Sequence, residues 1–173
     1  GGSHRAAWVT MRYLTVDELV YINEQIPNSD RIHRMLKGKQ RVRDMGLLEA
    51  AWGRPMQTVF GQDAYPSLAE KAAALLHAIA RNHPFADGNK RTATIAALFM
   101  LETNGLRPVW DPAQALEWIV SLAEGRLSQA DFAAWLPVEP CPPQPEPDAS
   151  ADMATIARIM ADHRWLLDEL AQR

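Results

Sequence analysis

From Asn89 to Thr103 the chain is apolar on nearly every side, with Ala93 to Leu101 interrupted only by Thr94, and the run stops at Asn104-Gly105. A helix that lacks a polar face is stable only when neighbours enclose it. Asn-Gly supplies the natural end, because glycine takes the left-handed conformation that closes a last helical turn. The segment therefore predicts a central helix inside a bundle. It falls well short of the roughly 20 apolar residues that span a bilayer, and no other window is longer.

Start signals for the surrounding helices recur between residues 11 and 136. Thr15-Val-Asp-Glu18 and Ser67-Leu-Ala-Glu70 have capping-box spacing, in which the hydroxyl accepts a free backbone N–H and the carboxylate reaches back. Asp111-Pro112 sets a cap before a proline at the first helical position. Ser128 precedes Ala130, Phe132, Ala133 and Leu136, a pattern that Pro137 halts. Helices are predicted to begin near residues 16, 68, 112 and 129. There is no repeat and no alternating run long enough for a sheet, so the fold class is all-α: a helical bundle with a short extended flap and a separate C-terminal helix. The flap would be Pro55 to Pro66, where the β-prone Thr58-Val59-Phe60 precedes Gly61; a small hairpin, an extended flap and a plain loop all suit such a run.

The chain has 173 residues, 47% of them apolar, enough for one core. Its net charge of -3 offers no basic field for nucleic acid. The single cysteine, Cys141, excludes an internal disulfide or a thiolate zinc cage and points to the cytoplasm. Residues 1–10 read as a tag remnant or disordered, 11–136 as the main helical domain, 137–150 as a semi-rigid proline-rich linker and 151–173 as an amphipathic helix. The linker assignment rests on six of the twelve prolines falling between Pro137 and Pro147. Residues 137–173 hold seven acids against three bases, while the rest of the chain is almost neutral. Met153, Ile156, Met160, His163, Leu167 and Leu170 recur at spacings of three and four, a stripe that needs a partner. Its own core, a second copy in a homo-oligomer, and a lid over another part of the chain are the three candidates.

The residues richest in chemistry are His83-Pro84-Phe85-Ala86-Asp87-Gly88-Asn89-Lys90-Arg91, a loop that feeds the central helix. Free N–H groups and the positive end of the helix dipole make such a terminus an anion site. Gly88 admits close approach of a phosphate. Asp87 is a hard ligand for a divalent cation, and Lys90 and Arg91 add fixed positive charge. His83 is the one side chain here able to take a hydroxyl proton near neutral pH. The set points to phosphoryl or nucleotidyl transfer.

This loop resembles the core motif of the Fic/Doc family, and the Doc toxin branch in particular. Arg43-Asp44 and the residues after it, Arg54-Pro55, Gly61-Gln62, Tyr65-Pro66, Asn89-Lys-Arg-Thr-Ala and Glu102 to Gly105 extend the likeness across residues 11–136. The resemblance implies His83 as general base, Asp87 as the Mg2+ ligand, and Gly88 and Asn89 as a phosphate cradle by backbone and side chain. Lys90 and Arg91 would neutralise phosphate charge, Phe85 would anchor the loop in the core, and Thr58, Val59, Phe60 and Gly61 would form a target-binding flap. AMP-transferring members look for glycine where Lys90 stands and a second arginine where Thr94 stands. The Doc pattern implies instead a kinase that transfers the γ-phosphate of ATP to a hydroxyl of a protein substrate, with a translation elongation factor as target class and an antitoxin as partner. AMP transfer and a non-catalytic nucleotide- or partner-binding module are the competing expectations.

Other features read as structural. Arg31, Arg34, Lys37, Lys39, Arg41 and Arg43 are expected on a solvated face, His77 as a satisfied core histidine, and His33 and His163 on the surface. Cys141 is expected as an exposed thiol, and Ser121 to Gly125 as a helix end.

Overall fold

The computed structural model describes residues 10–27 and 33–173. The helices are α1 (Val16–Glu24), α2 (Met45–Gly53), α3 (Leu68–Asn82), α4 (Asn89–Thr103), α5 (Pro112–Ala123), α6 (Gln129–Trp135), α7 (Ala149–Asp162) and α8 (Arg164–Leu170). Two small antiparallel ribbons accompany them: β1 (Thr58–Val59) with β2 (Gln62–Asp63), and β3 (Leu106–Pro108) with β4 (Val138–Pro140). The expected capping residues do their work. Thr15 and Ser67 each accept from the backbone N–H of the glutamate three residues on, and each glutamate returns the bond. Asp111 and Ser128 cap α5 and α6 by accepting from the backbone N–H groups of Gln114 and Asp131.

The bundle is built around α4. All of its residues except Lys90 and Arg91 are buried, packed under α1, α3, α5, α7, α8 and β3. Alanines on α3 (Ala72, Ala73, Ala78, Ala80) and on α4 (Ala93, Ala96, Ala97) are at most 4% exposed, and such small side chains let two helix axes approach closely. The two polar exceptions stand at the N-terminal turn of α4, where the core opens.

The flap is a hairpin. Thr58 pairs with Asp63 and Val59 with Gln62, and the turn residues Phe60 and Gly61 both have positive φ (52° and 78°), as a tight two-residue hairpin demands.

Three expectations need correction. A second ribbon exists where no sheet was expected, because Val138–Pro140, the start of the proline segment, pairs with Leu106–Pro108. A two-stranded ribbon consists only of edges, where prolines without an N–H are tolerated. Cys141 N–H then donates to Gly105 O and Gln144 N–H to Thr103 O, so the segment is tied to the end of α4. The C-terminal stripe does not lie on a single helix, since the chain breaks at His163 into α7 and α8. The break changes the buried face: Ile156, Leu167 and Leu170 are buried as expected, Ile159 and Leu166 join them, and Met153 remains half exposed. Of the three candidate partners, the stripe takes its own core, with α7 on α4 and α8 on α5 and α4.

The third correction concerns Arg41, which is 6% exposed rather than solvated, whereas Arg34, Lys37, Lys39 and Arg43 are exposed. Arg31 and the His33 side chain lie outside the described residues, as do residues 1–9 of the expected tag. No helix among the described residues is long and apolar enough to cross a membrane.

Candidate functional site

His83 ends α3 in the left-handed conformation (φ 52°, ψ 59°), a position unusual for a non-glycine residue. Five residues later Gly88 begins α4 with φ 74°. A Cβ there would stand 3.2 Å from Ile26 Cγ2 in a backbone region that side chains avoid, so glycine is required on both counts.

The turn between these residues is fastened from three sides. Arg43 and Asp44 donate their backbone N–H groups to Pro84 O at 2.7 and 3.1 Å, and Ala86 N–H donates to Arg41 O at 2.8 Å. These bonds accompany a one-residue bridge between Val42 and Phe85. The Arg43 guanidinium donates to the carbonyls of His83 (2.7 Å) and Asn82 (2.9 Å). From within, the Phe85 ring is 1% exposed, so it anchors the loop as expected. The Asn89 amide makes reciprocal bonds with the Phe85 backbone, accepting at 2.9 Å and donating at 3.0 Å. Both polar atoms of that side chain are thus engaged in shaping the loop.

A cavity of about 250 Å³ opens over this turn, lined by His83, Ala86, Asp87, Gly88, Asn89, Lys90 and Arg91. Its opposite wall is Leu170, Ala171 and Arg173, the end of the tail. Lys90 Nζ reaches Arg173 O at 3.5 Å. Arg91 lies 3.9 Å from the Asp87 carboxylate and donates to Pro27 O at 3.1 Å. Thr94 is fully buried, with its hydroxyl donating to Lys90 O at 2.8 Å. Desolvation of the ring, followed by the charges of Lys90, Arg43 and Arg81, lowers the His83 pKa from the ordinary 6.5. Its imidazole is therefore neutral, and able to accept a proton, at neutral pH.

Among the described residues no group of three or more His, Cys, Asp or Glu could hold a metal alone. A magnesium ion shared with phosphate oxygens needs only one or two carboxylates, and Asp87, partly exposed in this cavity, fits that need.

The flap residues Thr58, Val59, Phe60 and Gly61 are exposed and do not line the cavity. The flap is held by Lys71, which is only 4% exposed and had escaped notice in the sequence. Its ammonium donates to Asp63 Oδ2 (3.0 Å) and Tyr65 O (2.6 Å) and lies over the Tyr13 ring. A charge on the same stripe of α3 as Leu68 and Leu75 was the available signal. Asn23, fully buried on α1, also went unread.

His77, His163 and the cysteine depart from expectation. His77 Nδ1 is buried with no hydrogen-bond partner among the described residues, so it is not satisfied there; burial and then Arg54 and Arg81 lower its pKa. His163 is half-buried and stands edge-on to Trp110 at 5.9 Å, not on the surface. Cys141 is half-buried, its pKa raised by desolvation and then by Glu102. Ser121 to Gly125 does end a helix, with Gly125 at φ 81°.

The sequence is similar to that of known proteins. The profile of the Fic/DOC family matches residues 13–101. The chain is 59% identical over 70 residues to "Toxin Doc" of Mycolicibacterium smegmatis, a stretch that is 40% of this chain and 54% of that protein. It thus spans about half the length of that relative. It is 33% identical over 123 residues to "Protein kinase doc" of Escherichia phage P1, covering 71% of this chain and 91% of the relative. The chain belongs to the Fic/DOC family.

Proposed function

We propose that the cavity is the active site of a Doc-type protein kinase, which transfers the γ-phosphoryl group of ATP to a hydroxyl of a protein. The supporting observation is the pairing of Lys90 with Thr94. Lys90 lines the cavity where AMP-transferring members would have glycine, and Thr94 is sealed in the core where they would present a second arginine. The name of the phage relative agrees with this choice.

In the proposed step, neutral His83 takes the proton of the target hydroxyl as its oxygen bonds to the γ-phosphorus. The bond from that phosphorus to the bridging oxygen breaks, and ADP leaves. Lys90, Arg91 and the N–H groups at the start of α4 face the charge on the phosphate oxygens, and such electrostatic positioning is the main catalytic contribution in phosphoryl transfer. Asp87 would hold a magnesium ion, which would supply further charge neutralisation at the phosphates. The exposed hairpin Thr58 to Gly61 would pair with an extended target segment by strand addition. The resemblance supplies the target class, a translation elongation factor, and an antitoxin as restraining partner.

The test is incubation of the purified chain with elongation factor and ATP labelled separately at the α and γ positions. Carry-over of γ label alone is expected. Carry-over of α label would establish AMP transfer instead, and carry-over of neither would favour a binding module.

A further inference from the structure

We infer that Asn23 is a positioning residue of the anion site: held by Arg41, its amide turns the Asp87–Gly88 peptide so that the Gly88 N–H faces the cavity. This deepens the proposed function and rests on its placement of phosphate at the start of α4. Arg41 Nε donates to Asn23 Oδ1 at 2.6 Å, while its Nη2 donates to the backbone carbonyls of Asn23 (2.6 Å) and Ile26 (2.8 Å). Guanidinium has donors only, so the amide oxygen must face Arg41 and the amide nitrogen must face away. That nitrogen donates to Asp87 O and to Thr92 Oγ1, both at 2.9 Å.

The consequence follows from peptide geometry. In a trans peptide the C=O and the next N–H point in opposite directions, and no peptide in the described chain is cis. Drawing Asp87 O inward to a fully buried amide therefore directs Gly88 N–H outward. Gly88 lines the cavity, and its N–H has no hydrogen-bond partner among the described residues. Without Asn23 the carbonyl would lose its inward partner and the peptide could rotate, which withdraws one donor from a bound phosphate. A hydrogen bond to a charged group of this kind is worth on the order of 10- to 100-fold in affinity.

The experiment follows the Gly88 amide resonance of the full chain by NMR during titration with inorganic phosphate and with ATP and magnesium. In the parent the resonance should move downfield as the site fills. In Asn23→Leu the shift should vanish, and the Kd for ATP should rise about 10- to 100-fold while kcat at saturating ATP changes less. Asn23→Asp keeps a partner for Arg41 but has no donor for Asp87 O, so it guards against misfolding of the leucine variant. At saturating phosphate its Gly88 resonance should still fail to shift, a result that charge repulsion alone would not produce. A parent-like shift and Kd in either folded variant overturn the inference and leave the proposed function standing. A parent that binds neither phosphate nor ATP overturns both.

Discussion

The turn of residues 83–91 and the end of the tail, Leu170 to Arg173, line the same cavity, yet the turn and the tail helices α7 and α8 are held by different forces. The turn is fixed by short directional bonds from Arg41, Arg43, Asn89 and Asn23 to named backbone atoms. The tail is held chiefly by apolar burial of Ile156, Ile159, Leu166, Leu167 and Leu170. Polar fastenings add to it: the buried pair of Arg12 with Asp152 at 2.7 Å, Arg158 with Glu102, and Arg173 with Glu117 at 3.5 Å. Directional bonds set atoms to within fractions of an ångström, as chemistry requires. Apolar burial scales with the area removed from water and not with the placement of single atoms, so the tail bears on stability more than on the geometry of the turn.

If that contrast holds, substitutions in the turn should affect rate with little effect on melting, and those in the tail should do the reverse. The largest effect is expected for His83→Ala, about 10²- to 10⁴-fold in transfer rate with nearly unchanged thermal unfolding. A fully active variant would remove His83 from the chemistry. Next comes Leu167→Ala, which should destabilise the chain by about 2–5 kcal/mol and lower its melting temperature. Unaltered melting would show that α8 is not seated on the core.

Asp87→Ala should weaken ATP binding, and so should chelation of divalent ions in the parent. The two losses should not add, because each removes the same bridge. Independent losses in calorimetric titration would instead assign Asp87 to loop structure. The Lys90 position can be exchanged in the same assay, but Thr94 cannot be turned into arginine without forcing a large charged chain into a fully buried site.

The smallest effect concerns pH. Burial lowers the His163 pKa below 6.5, with Asp162 and Glu102 only partly offsetting it. Between that lowered value and 6.5 the unfolded chain binds more protons than the folded one, so stability rises with pH across the window. The contribution is complete above the unfolded value and disappears as pH falls through the folded one. His163→Gln should therefore flatten the acid side of a plot of melting temperature against pH; an unchanged slope would assign it to other groups.

Much of the turn was legible because its determinants are neighbours in the chain. His83, Asp87, Gly88, Lys90 and Arg91 lie within nine residues, and the helix they begin is recognisable from its own composition. The tail was legible only as a stripe in need of a partner. Its break at His163 depends on how α7 and α8 meet α4 and α5, which no local spacing encodes. Arg41 was misread for a related reason, since it lies among exposed basic residues and its burial depends on Asn23 and Ile26.

The sequence by itself determined the helix starts, the enclosed central helix and the residues that converge at its N-terminus. Caps and apolar periodicity act over three or four residues, so a linear reading contains them. Only the tertiary structure decided which distant groups meet: Arg41 with Asn23, Lys71 with the flap, and Arg173 with Lys90. A buried polar group needs a partner at hydrogen-bond distance, and packing, not position along the chain, determines which one it meets.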